Sequence, residues 1–256
     1  MPHVVNDRVP IHYRIEGHGA PLVLQHGFMV SSETWFERGY VEALKTKYRL
    51  VLIDARGHGQ SGKPHDPASY TPAKFASDIV AVLDDARIKT ANYWGYSQGG
   101  WMAFCLARHA PDRIASFVAG GASANEASAF PTEPRKEDPL LAALRCGPDA
   151  VIEILGEWVT PQLRECLLAN DAAALIACRQ QRLVTEGFAD VVGKIAVPVL
   201  CYAGTADPIH EAARQSAAEI RDAEFVSLPG LDHGAAICRS DLVLPHVERF
   251  LEKARG

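Results

Sequence analysis

The pentapeptide Gly95-Tyr96-Ser97-Gln98-Gly99, extended by Gly100, constrains this chain more than any other feature. An apolar run, Asn92-Tyr93-Trp94, leads into it, and a helical stretch from Gln98 to Arg108 leads out. A strand that turns at once into a helix strains the backbone at its corner, and side chains at the flanking glycines would clash. A serine at that corner lifts its hydroxyl above the sheet, at a helix N-terminus that favours developing negative charge. An isolated G-x-S-x-G is common by chance; one framed by a strand and a helix is not.

The rest of the chain keeps the strand-then-helix rhythm. His3–Val5 and Val9–Ile15 read as an opening hairpin around Asn6-Asp7. Leu22–Gln25 and Leu50–Ile53 are short apolar runs ending in Gly-bearing loops, as fully buried parallel strands should be. Asn92–Gly95, Ile114–Ala119, Val199–Ala203 and Phe225–Leu228 read as further strands. Thr71 as N-cap, Pro72 at the first helical position and Phe75, Ile79, Val82 and Leu83 at helical spacing predict a helix start. Glu211–Ile220 and Leu242–Lys253 are helix candidates late in the chain. Such repeats predict a mostly parallel sheet covered on both faces.

Between Gly121 and about Gly193 the rhythm changes. A run from Glu126 to Pro139 holds Pro131, Pro134 and Pro139, and then Asp149–Trp158, Pro161–Ala169 and Ala172–Thr185 read as helices. This segment is expected to be an insertion over the carboxyl edge of the sheet, with the Pro-rich run as its entry loop. No internal repeat or low-complexity stretch interrupts the pattern.

Bulk properties narrow the function. The 256 residues suit one catalytic domain with a small inserted subdomain. Net charge is −5, with 26 basic and 31 acidic side chains, which disfavours phosphate backbones and anionic lipid heads as partners. Neither nucleic acid nor membrane is therefore an expected partner. Asn6, Asp7 and Arg8 stand where a signal peptide would need an apolar run, and no stretch approaches the length of a membrane helix. The expected location is cytoplasmic. The six cysteines are scattered without a C-x-x-C pair, so they read as small apolar fillers rather than as a zinc site or disulfide framework.

A serine hydroxyl needs a base to become a nucleophile, and the base needs an acid to orient it. Of ten histidines, His233 stands apart, in the turn-rich loop Pro229-Gly230-Leu231-Asp232-His233-Gly234 between a strand and the final helix. Asp207, directly after the strand Val199–Ala203, is the expected acid; Asp232 competes, and Glu126 is a weaker substitute. Acyl attack also needs preorganised N–H donors for the oxyanion. The Gln98 N–H follows the nucleophile, and Phe28 in His26-Gly27-Phe28-Met29 is the natural second donor. His26 is expected to buttress that loop rather than to act as a base.

These positions together resemble the α/β-hydrolase superfamily along nearly the whole chain. The matching pieces are His26-Gly27-Phe28, Asp54-Ala55-Arg56-Gly57-His58-Gly59-Gln60-Ser61, Gly95 to Gly100, Gly204-Thr205-Ala206-Asp207 and Asp232-His233-Gly234. The order Ser97, Asp207, His233 is that family's nucleophile–acid–base order. The resemblance implies an α/β-hydrolase fold: a mostly parallel eight-stranded sheet flanked by helices, with a helical cap inserted after the sixth strand. On that basis residues 1–121 and 194–256 form the core domain and 122–193 the cap. The piece Asp54–Ser61 looks like the family's structural turn, and Arg56 and His58 receive no catalytic role. Relatives that open epoxides or remove halide carry aspartate at the nucleophile position, so Ser97 argues against both. No cofactor and no metal are expected.

The chemistry expected is two-step acyl transfer on a small to medium, partly apolar ester or lactone, the only partner being this small-molecule substrate, in a monomer or homodimer. Phe130, Leu155, Trp158 and Phe188 are candidates to line the pocket, each equally compatible with core packing. The same triad also suits carbon–carbon bond hydrolysis in a β-diketone, acyl transfer to an alcohol or peroxide, or an amidase. A hydrolase-like small-molecule receptor is a further alternative, and a catalytically dead scaffold ranks last.

Overall fold

Eight short, largely apolar runs pair into one sheet in the computed structural model, which describes residues 2–125 and 138–254 apart from the Glu157 side chain. The strands are β1 (His3–Asn6), β2 (Val9–Glu16), β3 (Ala20–Gln25), β4 (Tyr48–Ile53), β5 (Ala91–Tyr96), β6 (Ile114–Gly120), β7 (Val199–Gly204) and β8 (Ala223–Leu228). They lie in the order β1-β2-β4-β3-β5-β6-β7-β8. The first two pairings, β1 with β2 and β2 with β4, are antiparallel, and all others are parallel. This is the α/β-hydrolase architecture expected from the sequence.

Strand alternation divides the core between the two faces. Val23, Val51, Ile53, Tyr93 and Phe117 face the helices α3 (Pro72–Asp85) and α4 (Gln98–His109). Leu22, Leu24, Leu50, Leu52, Trp94 and Val118 face the opposite layer. That layer comprises α1 (Glu33–Glu37), α2 (Tyr40–Leu44) and, at the chain end, α12 (Ser240–Lys253). Each fully buried leucine contributes about 1.5–3 kcal/mol relative to exposure. Helix α3 starts as the sequence requires: Thr71 Oγ1 accepts from the Lys74 N–H, Pro72 takes the first turn, and Phe75, Ile79, Val82 and Leu83 are buried.

Among the described residues five α-helices lie between β6 and β7: α5 (Pro139–Cys146), α6 (Pro148–Leu155), α7 (Pro161–Ala169), α8 (Ala172–Val184) and α9 (Ala189–Val192). Asp138, Thr160 and Asp171 cap α5, α7 and α8 through their side-chain oxygens. Pro139 therefore opens a helix rather than closing a loop, because a proline at the first helical turn loses no hydrogen bond. The rest of the Pro-rich run, with Glu126 and Phe130, lies outside the described residues. Helix α10 (His210–Ala218) follows β7, and the short α11 (His233–Cys238) follows β8. Among the described residues no helix is long and apolar enough to cross a membrane.

Candidate active site

The corner between β5 and α4 is strained. Ser97 has φ 56° and ψ −120°, a region that side-chain-bearing residues avoid. Its N–H donates to the Gly120 carbonyl at 2.8 Å and its carbonyl accepts from Trp101 at 2.9 Å, which ties the corner to β6 and to α4. The flanking glycines are sterically required. A Cβ on Gly95 would sit 2.1 Å from the Gly99 backbone, and one on Gly99 would sit 2.2 Å from the Gln25 carbonyl oxygen.

Ser97, His233 and Asp207 come together at the carboxyl ends of β5, β8 and β7. Ser97 Oγ lies 2.9 Å from His233 Nε2, and His233 Nδ1 lies 2.7 Å from Asp207 Oδ2. A carboxylate can only accept, so Nδ1 carries the proton and Nε2 is left to accept from the serine hydroxyl. The Asp207 side chain is fully buried, and its other oxygen accepts from the Ile209 N–H at 3.0 Å. Asp232, the rival acid, is committed elsewhere: it caps α11 through the Ala235 N–H (2.7 Å) and accepts from Trp158 Nε1 (3.0 Å). His233 itself is the first residue of α11 and not a loop residue. Six helical residues are too few to show a period in sequence.

The loop after β3 approaches Ser97 closely, since a Cβ on Gly27 would lie 3.3 Å from Ser97 Cβ. The N–H groups of Phe28 and Gln98 have no acceptor among the described residues. His26 holds this loop. Its Nε2 accepts from the Ala55 N–H at 3.0 Å, so Nδ1 is the protonated nitrogen and donates to the Gly27 carbonyl at 2.7 Å. The cap reaches the same loop: Asn170 Nδ2 donates to the Met29 carbonyl at 2.8 Å, and Cys166 Sγ approaches it at 3.4 Å.

The turn from Asp54 to Ser61 packs beneath. Asp54 accepts from the Ser32 and Gln60 N–H groups and pairs with His12 Nδ1 at 2.9 Å. Burial pushes the His58 imidazole down to about 3 and lowers that of His26 as well. Both rings are therefore neutral in the folded protein near neutral pH, whereas an unfolded histidine takes up a proton near pH ~6.5. Their contribution to stability is complete above that pH, and for His58 it is lost as pH falls from 6.5 towards 3. The loss is at most about 1.4 kcal/mol per pH unit per ring. Urea denaturation at successive pH values should show this decline in the parent and a shallower one in His58→Asn. Equal slopes in the two proteins would refute it.

A cavity of about 850 Å³ opens over Ser97 and is roofed by the cap. Leu155 and Trp158 line it. The Trp158 indole also lies against the backbone of α11, where a Cβ on Gly234 would come within 2.9 Å of it. Phe188 does not line it. This ring is fully buried between Trp101 and Phe104 of α4, with centroids at 5.6 and 5.9 Å, so it anchors the return of the cap into the core. Tyr96, which the sequence did not mark, donates its hydroxyl to the His233 carbonyl at 2.6 Å and steadies the backbone at His233. Its position next to Ser97 was the available signal. No group of three or more metal-ligating side chains occurs among the described residues.

Comparison with known proteins places this geometry in a wider set. A family model described as alpha/beta hydrolase fold matches residues 20–144. A non-heme chloroperoxidase of Streptomyces lividans is 27% identical over 91% of this chain and 92% of its own. The crystal structure of the enol-lactonase from Burkholderia xenovorans LB400 superposes with a TM-score of 0.84 at 25% identity, covering 98% of this chain and 100% of that one. An esterase from Rhodococcus sp. ECU1013 gives 0.83 at 26% identity, with 98% and 97% covered. The chain belongs to the α/β-hydrolase superfamily and is related to its esterases, enol-lactonases and haloperoxidases.

Proposed function

We propose that this protein is a serine hydrolase that cleaves a carboxylic ester or lactone of a small to medium, partly apolar substrate through an acyl-enzyme on Ser97. The observation that carries the reading is the continuous relay from Ser97 Oγ to His233 (2.9 Å) to buried Asp207 (2.7 Å) at the floor of a roofed cavity. His233 Nε2 takes the hydroxyl proton as Oγ attacks the substrate carbonyl. The N–H groups of Phe28 and Gln98 receive the oxyanion, which needs donors fixed in advance. Collapse expels the alcohol, which leaves with the proton from His233, and water then repeats the sequence to free the acid. The relatives named esterase and enol-lactonase support the ester class.

A second reading has peroxide in place of water as the acyl acceptor, giving a peracid. The relative named a chloroperoxidase favours it. Both readings pass through the same acyl-enzyme.

The test is release of 4-nitrophenol from acetate, butyrate and octanoate esters, comparing the parent with Ser97→Ala. Turnover that disappears in the variant is the expected result, and its chain-length optimum measures the pocket. Full turnover by Ser97→Ala would overturn the assignment of the nucleophile. A folded parent with no serine-dependent release would move the reading to carbon–carbon hydrolysis or ligand sensing.

A further inference from the structure

The cavity carries a second polar cluster that the acyl-transfer steps leave unused. Lys63, Arg179 and Arg182 line it together with Gln98. Arg179 and Arg182 are three residues apart on α8 and so share a face. That helix is held beside the Lys63 loop by a contact of 3.0 Å between His65 and Asp171, and beside the nucleophile by Cys178 Sγ, 3.8 Å from Gln98 Oε1. Helix α8 thus brings its two cations to the Gln98 side of Ser97.

Each group is fixed in place, and Lys63, Arg179 and Gln98 keep donor capacity in hand. Arg179 donates from Nε (3.0 Å) and Nη2 (2.6 Å) to Asp138, a buried residue that also caps α5. Its Nη1 has no acceptor among the described residues. The Arg182 guanidinium stacks over Trp101, 3.9 Å from the ring centroid. Lys63 Nζ donates to the Gly59 and Ser61 carbonyls at 2.6 and 3.1 Å, and no carboxylate among the described residues pairs with it. Gln98 Nε2 is buried with no acceptor among the described residues. A buried donor without a partner calls for an explanation, and here every group with capacity to spare is a donor. Of the carboxylates that line the cavity, Asp138 is paired with Arg179 and Asp207 with His233, and Glu33, Glu37 and Glu165 belong to α1 and α7. Glu33 is already paired with Arg14 at 2.7 Å.

We propose that the α8 side of the cavity is an anion subsite, so that the preferred ester or lactone carries a second, unreacted carboxylate bound by Lys63 and Arg179 with the Gln98 side-chain amide. This rests on the ester-hydrolysis reading and narrows it to monoanionic substrates. Planar guanidinium groups and a fixed ammonium suit a carboxylate, whose two oxygens accept several charge-assisted hydrogen bonds.

The experiment compares the mono-4-nitrophenyl esters of glutaric and adipic acid with 4-nitrophenyl pentanoate and hexanoate. In each pair a carboxylate replaces a terminal methyl group. The parent should favour the anionic ester by at least about tenfold in kcat/KM, the size expected of a charge-assisted contact. Lys63→Gln, and Arg179→Lys, which keeps a cation for Asp138, should each reduce that ratio several-fold. Because the ratio is taken within one variant, a general loss of folded enzyme cancels. Serine-dependent turnover of the neutral esters without preference for the anionic ones would overturn the subsite and leave the esterase reading standing. A preference unchanged in both variants would also overturn it. No serine-dependent release from any of the four esters by a folded parent would overturn both.

Discussion

Ser97→Gly is expected to be more stable than Ser97→Ala while being equally inactive. Serine and alanine both place a Cβ at φ 56° and ψ −120°, where strain costs about 1–3 kcal/mol, whereas glycine enters this region freely. Both variants lose the hydroxyl and its contact with His233, so their difference isolates the backbone strain. Against this, glycine adds about 0.5–1 kcal/mol of unfolded-state entropy. The net gain lies between about 0 and 2.5 kcal/mol, up to several degrees in Tm for a chain of this size. Turnover should fall about 10⁵-fold or more in both, since removing the nucleophile of a triad costs that much. Thermal melts alongside ester turnover check both halves. A glycine variant that melts below the alanine variant would show that the corner is not strained as its dihedral angles imply.

The largest stability effect is expected at Arg56. This guanidinium is fully buried and donates through Nε and Nη2 to Asp78, both at 2.6 Å, and through Nη1 to the Ser69 carbonyl at 2.6 Å. Arg56→Met leaves the Asp78 carboxylate buried with one side-chain donor, Asn6 Nδ2 at 2.7 Å. Breaking one half of such a pair costs about 3–5 kcal/mol, whereas replacing both halves by apolar groups of similar volume is often close to neutral. Arg56→Met with Asp78→Leu should therefore recover most of the loss in urea denaturation. A single variant within about 1 kcal/mol of the parent would mean that water or local movement satisfies Asp78.

How far the sequence carried depends on the range of each interaction. The strands were readable because buried parallel strands are short apolar runs, and β5 into α4 because glycines must flank its corner. The positions of Asp207 and His233 after β7 and β8 were readable too, and the structure brings both side chains to Ser97. Contacts between distant residues were not. Nothing near Met29 announces that Asn170 will hold its carbonyl, and nothing near His65 announces Asp171. Phe188 looked equally suited to pocket and core, since an aromatic residue near a helix end carries no mark of which neighbour it will meet. Helices of five or six residues, α1, α2 and α11, are shorter than the window in which an amphipathic period can be recognised.

The hold of α7 and Asn170 on the Met29 carbonyl has a consequence for how this architecture can diversify. Met29 follows Phe28, the oxyanion donor of the proposed mechanism, so on that reading the roof and the charge-stabilising loop share one anchor. The helical segment is thus not a detachable module that sets which molecules enter while the chemistry beneath stays constant. A lineage that exchanges or lengthens it must rebuild the anchor, or accept a slower first chemical step along with its new preference. On the proposed mechanism, selectivity and rate are mechanically joined at a single peptide carbonyl.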